Sequence, residues 1–187
     1  VISYLNILLK NILSIAAHSD FAQIENTNSI KDYKIVILSW SYKENFHSDG
    51  SFQDRYFNKN SKNIENSYWI LVSMDGYVPL NLNDNIKIIK RKKGIFKYNF
   101  YFLIKLLILT TIECKFSLRK IYHYFFFPSY FAKLITKIVI KDINESKAKL
   151  FLLPYEAQPF QNKIIFEVKK INSDIKSVGY LHSLSPL

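Results

Sequence analysis

The chain has 187 residues, enough for one ordinary domain and too few for two large ones. Its 49% apolar content can fill a core, its 4 glycines exclude a sandwich that turns tightly every few residues, and its one cysteine, Cys114, excludes an intrachain disulfide framework and a cysteine zinc site. The formal charge of +11 points to an anionic partner (nucleic acid, a membrane surface or a phosphorylated substrate), although the lysines are scattered apart from "KRKKG" at 90–94 and no arginine-rich stripe or nucleic-acid-binding motif appears.

In chain order, apolar residues at 1, 2, 5, 8, 9, 12, 13, 15 and 16 have helical spacing. "DYKIVILSW" (32–40) is short, apolar and β-branched, which predicts a buried strand. The polar stretch from Ser41 to Ser67 reads as a loop, with Asp-Gly at 49–50 and a short helix expected near 53–58. "YWILVSMD" (68–75) predicts a second strand, and "NIKIIKRKK" (85–93) a third, shorter and nearer an edge. Two helices are expected over about 98–116 and 117–142, the first containing Cys114 as a small core residue. "KLFLLP" (149–154) predicts a fourth strand. A helix follows with Pro159 in its first turn, where a missing N–H costs little, and Phe160, Ile164, Ile165, Val168 and Ile171 on one face. "IKSVGYLHS" (175–183) predicts a fifth strand.

Strands that are apolar throughout and alternate with helices imply a mostly parallel sheet covered on both faces. The expected fold is α/β: a Rossmann-like three-layer domain over residues 1–187 with about five or more strands. No G-x-G-x-x-G follows the first strand, which disfavours a dinucleotide site. The run "NFYFLIKLLILTTI" is too short to span a membrane and carries Lys105, so it reads as a buried helix. "YHYFFFPSYFAKLITKIVI" is aromatic and basic; it reads as a core helix, with a membrane-surface helix as the alternative.

The segment "LPYEAQPFQNKIIFEVKKINSDIKSVGYLHS" resembles bacterial surface-polysaccharide glycosyltransferases of the two-Rossmann-domain (GT-B) type, with a Tyr-Glu pair after a strand, a helix, and a strand ending in Gly-Tyr-x-His-Ser. The loop "SDGSFQDRYFNKNSKNIENSYWILVSMD" is similar to the same family's segment before its second strand. The resemblance covers about a third of the chain. It implies the N-terminal, acceptor-side half of a GT-B enzyme involved in cell-envelope polysaccharide biosynthesis. A sugar would pass from a nucleotide-activated donor to a surface polysaccharide or lipid-linked glycan, in the cytoplasm at the inner face of the membrane. The chain opens on Val1 and stops at Leu187 in a strand-to-loop transition, so a longer protein is expected. The nucleotide sugar would then be held mainly by a second domain outside this sequence, and the present chain would be inactive by itself. No cofactor or metal is expected, since the chain contains no D-x-D. Peripheral membrane contact is expected as compatible with this reading; nucleic acid is not an expected partner.

Glu156 and His182 are the expected catalytic residues, each following an apolar run at a strand end, where open α/β sheets build their sites. Glu156 would take the acceptor hydroxyl's proton or hold acceptor hydroxyls. Its bland alternative is a carboxylate near a helix N-terminus, favoured by about 0.3–1 kcal/mol. His182, with an ordinary pKa near 6.5, suits a base or a donor to the departing phosphate, the alternative being a half-buried histidine bonded to backbone. Tyr155, Tyr180 and Ser183 are their expected substrate-binding companions. Asp54 and Arg55 are placed on an acceptor lip, against the alternative of a surface pair of little energetic worth. His47 and Asp49 are too few for a metal site, and His18 and His123 carry no assignment. The alternative function is a non-catalytic, basic, aromatic-rich module for membrane surfaces or nucleic acid.

Overall fold

In the computed structural model, the described residues are 21–25, 30–91, 127–156 and 159–181, together with Ile104, Ile108 and Ile112. The β-branched and aromatic runs form a six-stranded sheet. Its strands are β1 (Phe21–Glu25), β2 (Ile35–Ser41), β5 (Ser67–Ser73), β6 (Ile86–Arg91), β7 (Leu150–Pro154) and β8 (Lys176–Tyr180), in the order β1-β6-β5-β2-β7-β8. All neighbours are parallel except β1, which runs antiparallel along β6 with Phe21 opposite Arg91 and Glu25 opposite Lys87. The third strand expected from the sequence, β6, therefore has a further strand outside it. The helix expected over 1–16 lies outside the described residues.

The strand order reverses at β2. The chain first moves from β2 to β5 and β6 on one side, then crosses back to β7 and β8 on the other. In such sheets the loops leaving the two strands at the reversal diverge and open a crevice at their carboxyl ends. Here that place lies between Ser39–Ser41 of β2 and Pro154–Glu156 at the end of β7.

One face of the sheet is covered by two helices, α1 (Phe127–Glu145) and α2 (Pro159–Ile171), which also pack on each other. Period two along the strands points Val36, Leu38, Tyr68, Ile70, Phe151 and Leu153 to this side. The helices meet them at four-residue spacing, with Ile135, Val139 and Ile143 from α1 and Phe160, Ile164 and Val168 from α2. Trp40 meets Phe160 edge-on at 5.4 Å.

The opposite face carries Ile37, Trp69, Leu71, Ile86 and Ile88. The sequence leads one to expect helices here too. Among the described residues it is covered instead by the β2–β5 connection, through Phe46, Phe52 and Phe57, and by Leu82 and Val78 before β6. Aromatic residues in that connection supply the apolar cover that a helix would give.

The helix expected near 53–58 is a two-stranded hairpin, β3 (Gln53–Asp54) with β4 (Lys59–Asn60). Two features turn the chain back. The Asp54 carboxylate accepts the Phe57 N–H at 2.6 Å, and Asn58 takes a left-handed φ of 50°. The Asp-Gly turn does form: Gly50 has φ 79°, and a Cβ there would lie 2.1 Å from the Asn81 carbonyl oxygen. Beneath the helices, Lys87 of β6 and Asp142 of α1 make a buried ion pair at 2.8 Å.

Candidate functional site

The carboxyl ends of β2, β7 and β8 gather most of the residues singled out from the sequence. Glu156 sits just past β7 and is exposed. Its backbone is held from α2. Gln161, which is buried, accepts the Glu156 N–H at 2.9 Å on its side-chain oxygen and donates from its side-chain nitrogen to the Pro154 carbonyl at 2.6 Å. One side chain thus satisfies both backbone groups where strand becomes helix, and the carboxylate is left at the surface.

Tyr155 points the other way, toward α2, where its hydroxyl donates to Asn162 at 2.7 Å. Its ring packs on Gly179 of β8 so closely that a Cβ at 179 would lie 2.7 Å from the Tyr155 Cβ. The Tyr155 N–H donates to the Tyr180 carbonyl at 2.8 Å, extending the β7–β8 ladder past Pro154. Pro154 is thus the residue opposite Tyr180, and Glu156 follows two positions beyond it.

The hairpin closes this edge from the second face. Asp54 is fully buried; the Ser39 hydroxyl of β2 donates to its carboxylate. The expected acceptor contact gives way to a structural placement: Asp54 latches the hairpin onto the central strand. Arg55 does not pair with its neighbour Asp54. It bonds Glu44 at 3.0 Å and lies 5.9 Å from the Tyr42 ring centre, in the open. The latch sets Tyr56 within electrostatic reach of Glu156. Burial pushes the Tyr56 phenol above its ordinary pKa, and the Glu156 carboxylate adds to the rise. Phe57, anchored edge-on against Trp69 at 6.4 Å, meets Tyr180 at 5.3 Å between ring centres. Tyr180 remains 45% exposed. The buried Ser41 hydroxyl, at the end of β2, makes no hydrogen bond within the described residues.

Glu156, Tyr155, Tyr180, Asp54 and Arg55 thus lie along one edge. His182 and Ser183 lie outside the described residues, as do His18, His123 and Cys114. Sequence reasoning passed over Tyr56 and Gln161. Gln161 had a usable signal: it is a polar residue on the apolar stripe of α2, so burial obliges its amide to find partners. Tyr56 had none, because its place depends on the Asp54 latch. Among the described residues, no three His, Cys, Asp or Glu side chains gather to hold a metal ion. His47 and Asp49 lie in the turn before β3, where Asp49 is occupied by Lys62 and Ser51.

Chemically, this edge offers an exposed carboxylate beside a phenol and a wall of aromatic rings. Comparison with family models, with curated proteins and with solved structures finds no match to this chain.

Proposed function

We propose that the chain is the acceptor-side, Rossmann-like domain of a GT-B glycosyltransferase that transfers a sugar from a nucleotide-activated donor to a surface polysaccharide or lipid-linked glycan. One observation carries the proposal: Glu156 stands exposed at the carboxyl end of β7, beside the point where the strand order reverses. The order β6-β5-β2-β7-β8, with the first parallel strand at the centre, supports the Rossmann-like reading. The Tyr155-Glu156 pair and the Gly179-Tyr180 strand end support the family reading.

In this proposal Glu156 takes the proton of an acceptor hydroxyl as its oxygen attacks the anomeric carbon. The new C–O bond forms as the bond from that carbon to the nucleotide's phosphate oxygen breaks, and the electron pair leaves with the phosphate. His182 would serve the same step as a base or as a donor to that phosphate. The test uses the full-length enzyme with nucleotide-sugar donors. Glu156→Gln should cut turnover by about 10²–10⁴-fold with acceptor binding largely kept, and His182→Ala should cut it comparably. Normal turnover in both folded variants would remove both residues from the chemistry.

A second reading, contact with a membrane surface, has an observation of its own. Ile104, Ile108 and Ile112 are helical, four residues apart, and 44%, 56% and 63% exposed. No helix among the described residues is long and apolar enough to cross a membrane. Co-sedimentation with anionic vesicles that is lost on replacing the three isoleucines with Ser would support surface contact; unchanged sedimentation would oppose it.

A further inference from the structure

We infer that the row Ile104, Ile108 and Ile112, with the basic stretch that surrounds it in sequence, anchors the chain selectively on bilayers rich in anionic phospholipid. The inference rests on the membrane-surface reading above and narrows it: it names the lipid class and divides the binding between apolar insertion and charge.

Three observations carry it. First, the row is apolar where a surface helix is ordinarily polar. The three isoleucines are helical, and each is more than two-fifths exposed. Residues four apart on a helix are neighbours on one face, so the row runs for about 12 Å along it. A single exposed apolar residue is ordinary, whereas a contiguous row marks an interaction site. The acyl boundary of a bilayer takes up such a row lengthwise.

Second, the charge of the chain is concentrated around this row. Residues 90–120 hold nine lysines and arginines against one acid, Glu113, and so carry +8 of the total +11. The remaining 156 residues, with 17 basic and 14 acidic side chains, carry +3. The "KRKK" run at 90–93 leads into the stretch, Lys105 adjoins Ile104, and Lys115 follows Ile112 by three residues. Clusters of this size beside an apolar helix face are drawn to anionic headgroups.

Third, the combination selects among the partners. Nucleic acid would meet the lysines, but its phosphates leave three isoleucines in water, and its bases stack on aromatic rather than aliphatic side chains. A second copy of the chain would cover the isoleucines but would bring two +8 stretches together. An anionic bilayer satisfies both features at once. The isoleucines enter below the headgroups, and lysine and arginine stems reach up to the phosphates. Both contributions are needed, because a modest apolar anchor binds only marginally until a basic patch is added to it.

The experiment measures co-sedimentation of the full chain with two kinds of vesicle, phosphatidylcholine alone and an equal mixture of phosphatidylcholine and phosphatidylglycerol. Binding to the mixed vesicles should be tighter by about tenfold or more at low salt, and the preference should shrink as salt screens the charges. The combined variant Lys92→Gln, Lys93→Gln and Lys97→Gln should weaken binding to the mixed vesicles by about tenfold and leave the weak binding to neutral ones unchanged. Ile104→Ser with Ile108→Ser and Ile112→Ser should weaken binding to both. Equal affinity for the two vesicles, or full affinity for the mixed ones in the lysine variant, would overturn the lipid selectivity and leave surface contact standing. Sedimentation with neither would remove both. An oligonucleotide bound equally well by the parent and the isoleucine variant, in a chain that ignores mixed vesicles, would assign the basic stretch to nucleic acid. A dimer lost in the isoleucine variant, again without vesicle binding, would assign the row to a second copy. Either result overturns the anchor.

Discussion

Glu156 and Gln161 divide one task at the end of β7. An exposed carboxylate on a loose turn would sample many positions; here the turn's N–H and C=O are both tied to a buried amide, which fixes the backbone that carries it. Gly179 plays a matching part on β8, because its missing Cβ is the space that the Tyr155 ring fills. Gly179→Ala should therefore destabilise the fold by about 1–3 kcal/mol, as overpacking does, measured by urea denaturation. It should also break the Tyr155–Asn162 bond by pushing the ring outward. Unchanged stability would mean that β7 and β8 part without cost. At this scale the sequence was half legible. Glu156 stood out because a charge follows an apolar run. Asp54 looked like a surface residue because nothing in "FQDRY" shows that the Ser39 hydroxyl, 15 residues earlier, reaches it.

At the scale of elements, fully buried strands were the clearest signal. All seven residues of β5 are buried, and such a strand leaves an unbroken apolar run in the sequence. Helix α2 was equally plain, with Pro159 at its start and Val168 two turns beyond Phe160 on the same face. Two elements were not legible, for different reasons. Strand β1, "FAQIE", is short and takes its state from pairing with β6. The β3–β4 hairpin is set by a side chain capping a backbone N–H rather than by any periodicity. The Lys87–Asp142 pair was also hidden, since both residues type as surface residues. It joins β6 to α1 with side chains 4% and 5% exposed. Removing one partner of a buried ion pair is costly, so Asp142→Ala should cost about 3–5 kcal/mol. The double replacement Lys87→Met with Asp142→Leu should recover most of that loss. Denaturation midpoints of the three proteins give the comparison, and an Asp142→Ala protein as stable as the parent would show that water reaches the pair.

Over the whole of the described molecule, both signs of charge flank both ends of the sheet. Lys34, Lys147, Lys149 and Lys176 border the amino ends of β2, β7 and β8 together with Asp32, which pairs with Lys147, and Asp174. Glu44, Asp75 and Glu156 border the carboxyl ends together with Lys43 and Arg55.

The same distribution predicts how the fold responds to acid. Asp75 follows β5, and burial alone would raise its pKa. The N–H groups of Tyr77 and Lys43 and the Ser73 hydroxyl outweigh that and hold it below the ordinary carboxylate value. Asp49 is likewise held low, by Lys62 first and then by Ser51. In each case the folded state binds its proton less readily than the unfolded chain. The contribution is therefore fully present above the unfolded pKa, about 3.9, and is lost as pH falls through the lower folded value. Both carboxylates pin the connections that cover the second face of the sheet: Asp75 ties the end of β5 to Lys43, and Asp49 ties the turn before β3 to Lys62. Protonation should loosen that layer before the helices on the other face. The urea midpoint should hold steady from pH 7 to about pH 5 and fall below about pH 4. Near-ultraviolet circular dichroism from the Trp69 cluster should change ahead of the helical far-ultraviolet signal. Asp75→Asn, which cannot lose a proton, should lower stability at pH 7 and flatten the acid limb. An acid limb of unchanged slope in that variant would place the acid sensitivity elsewhere in the chain.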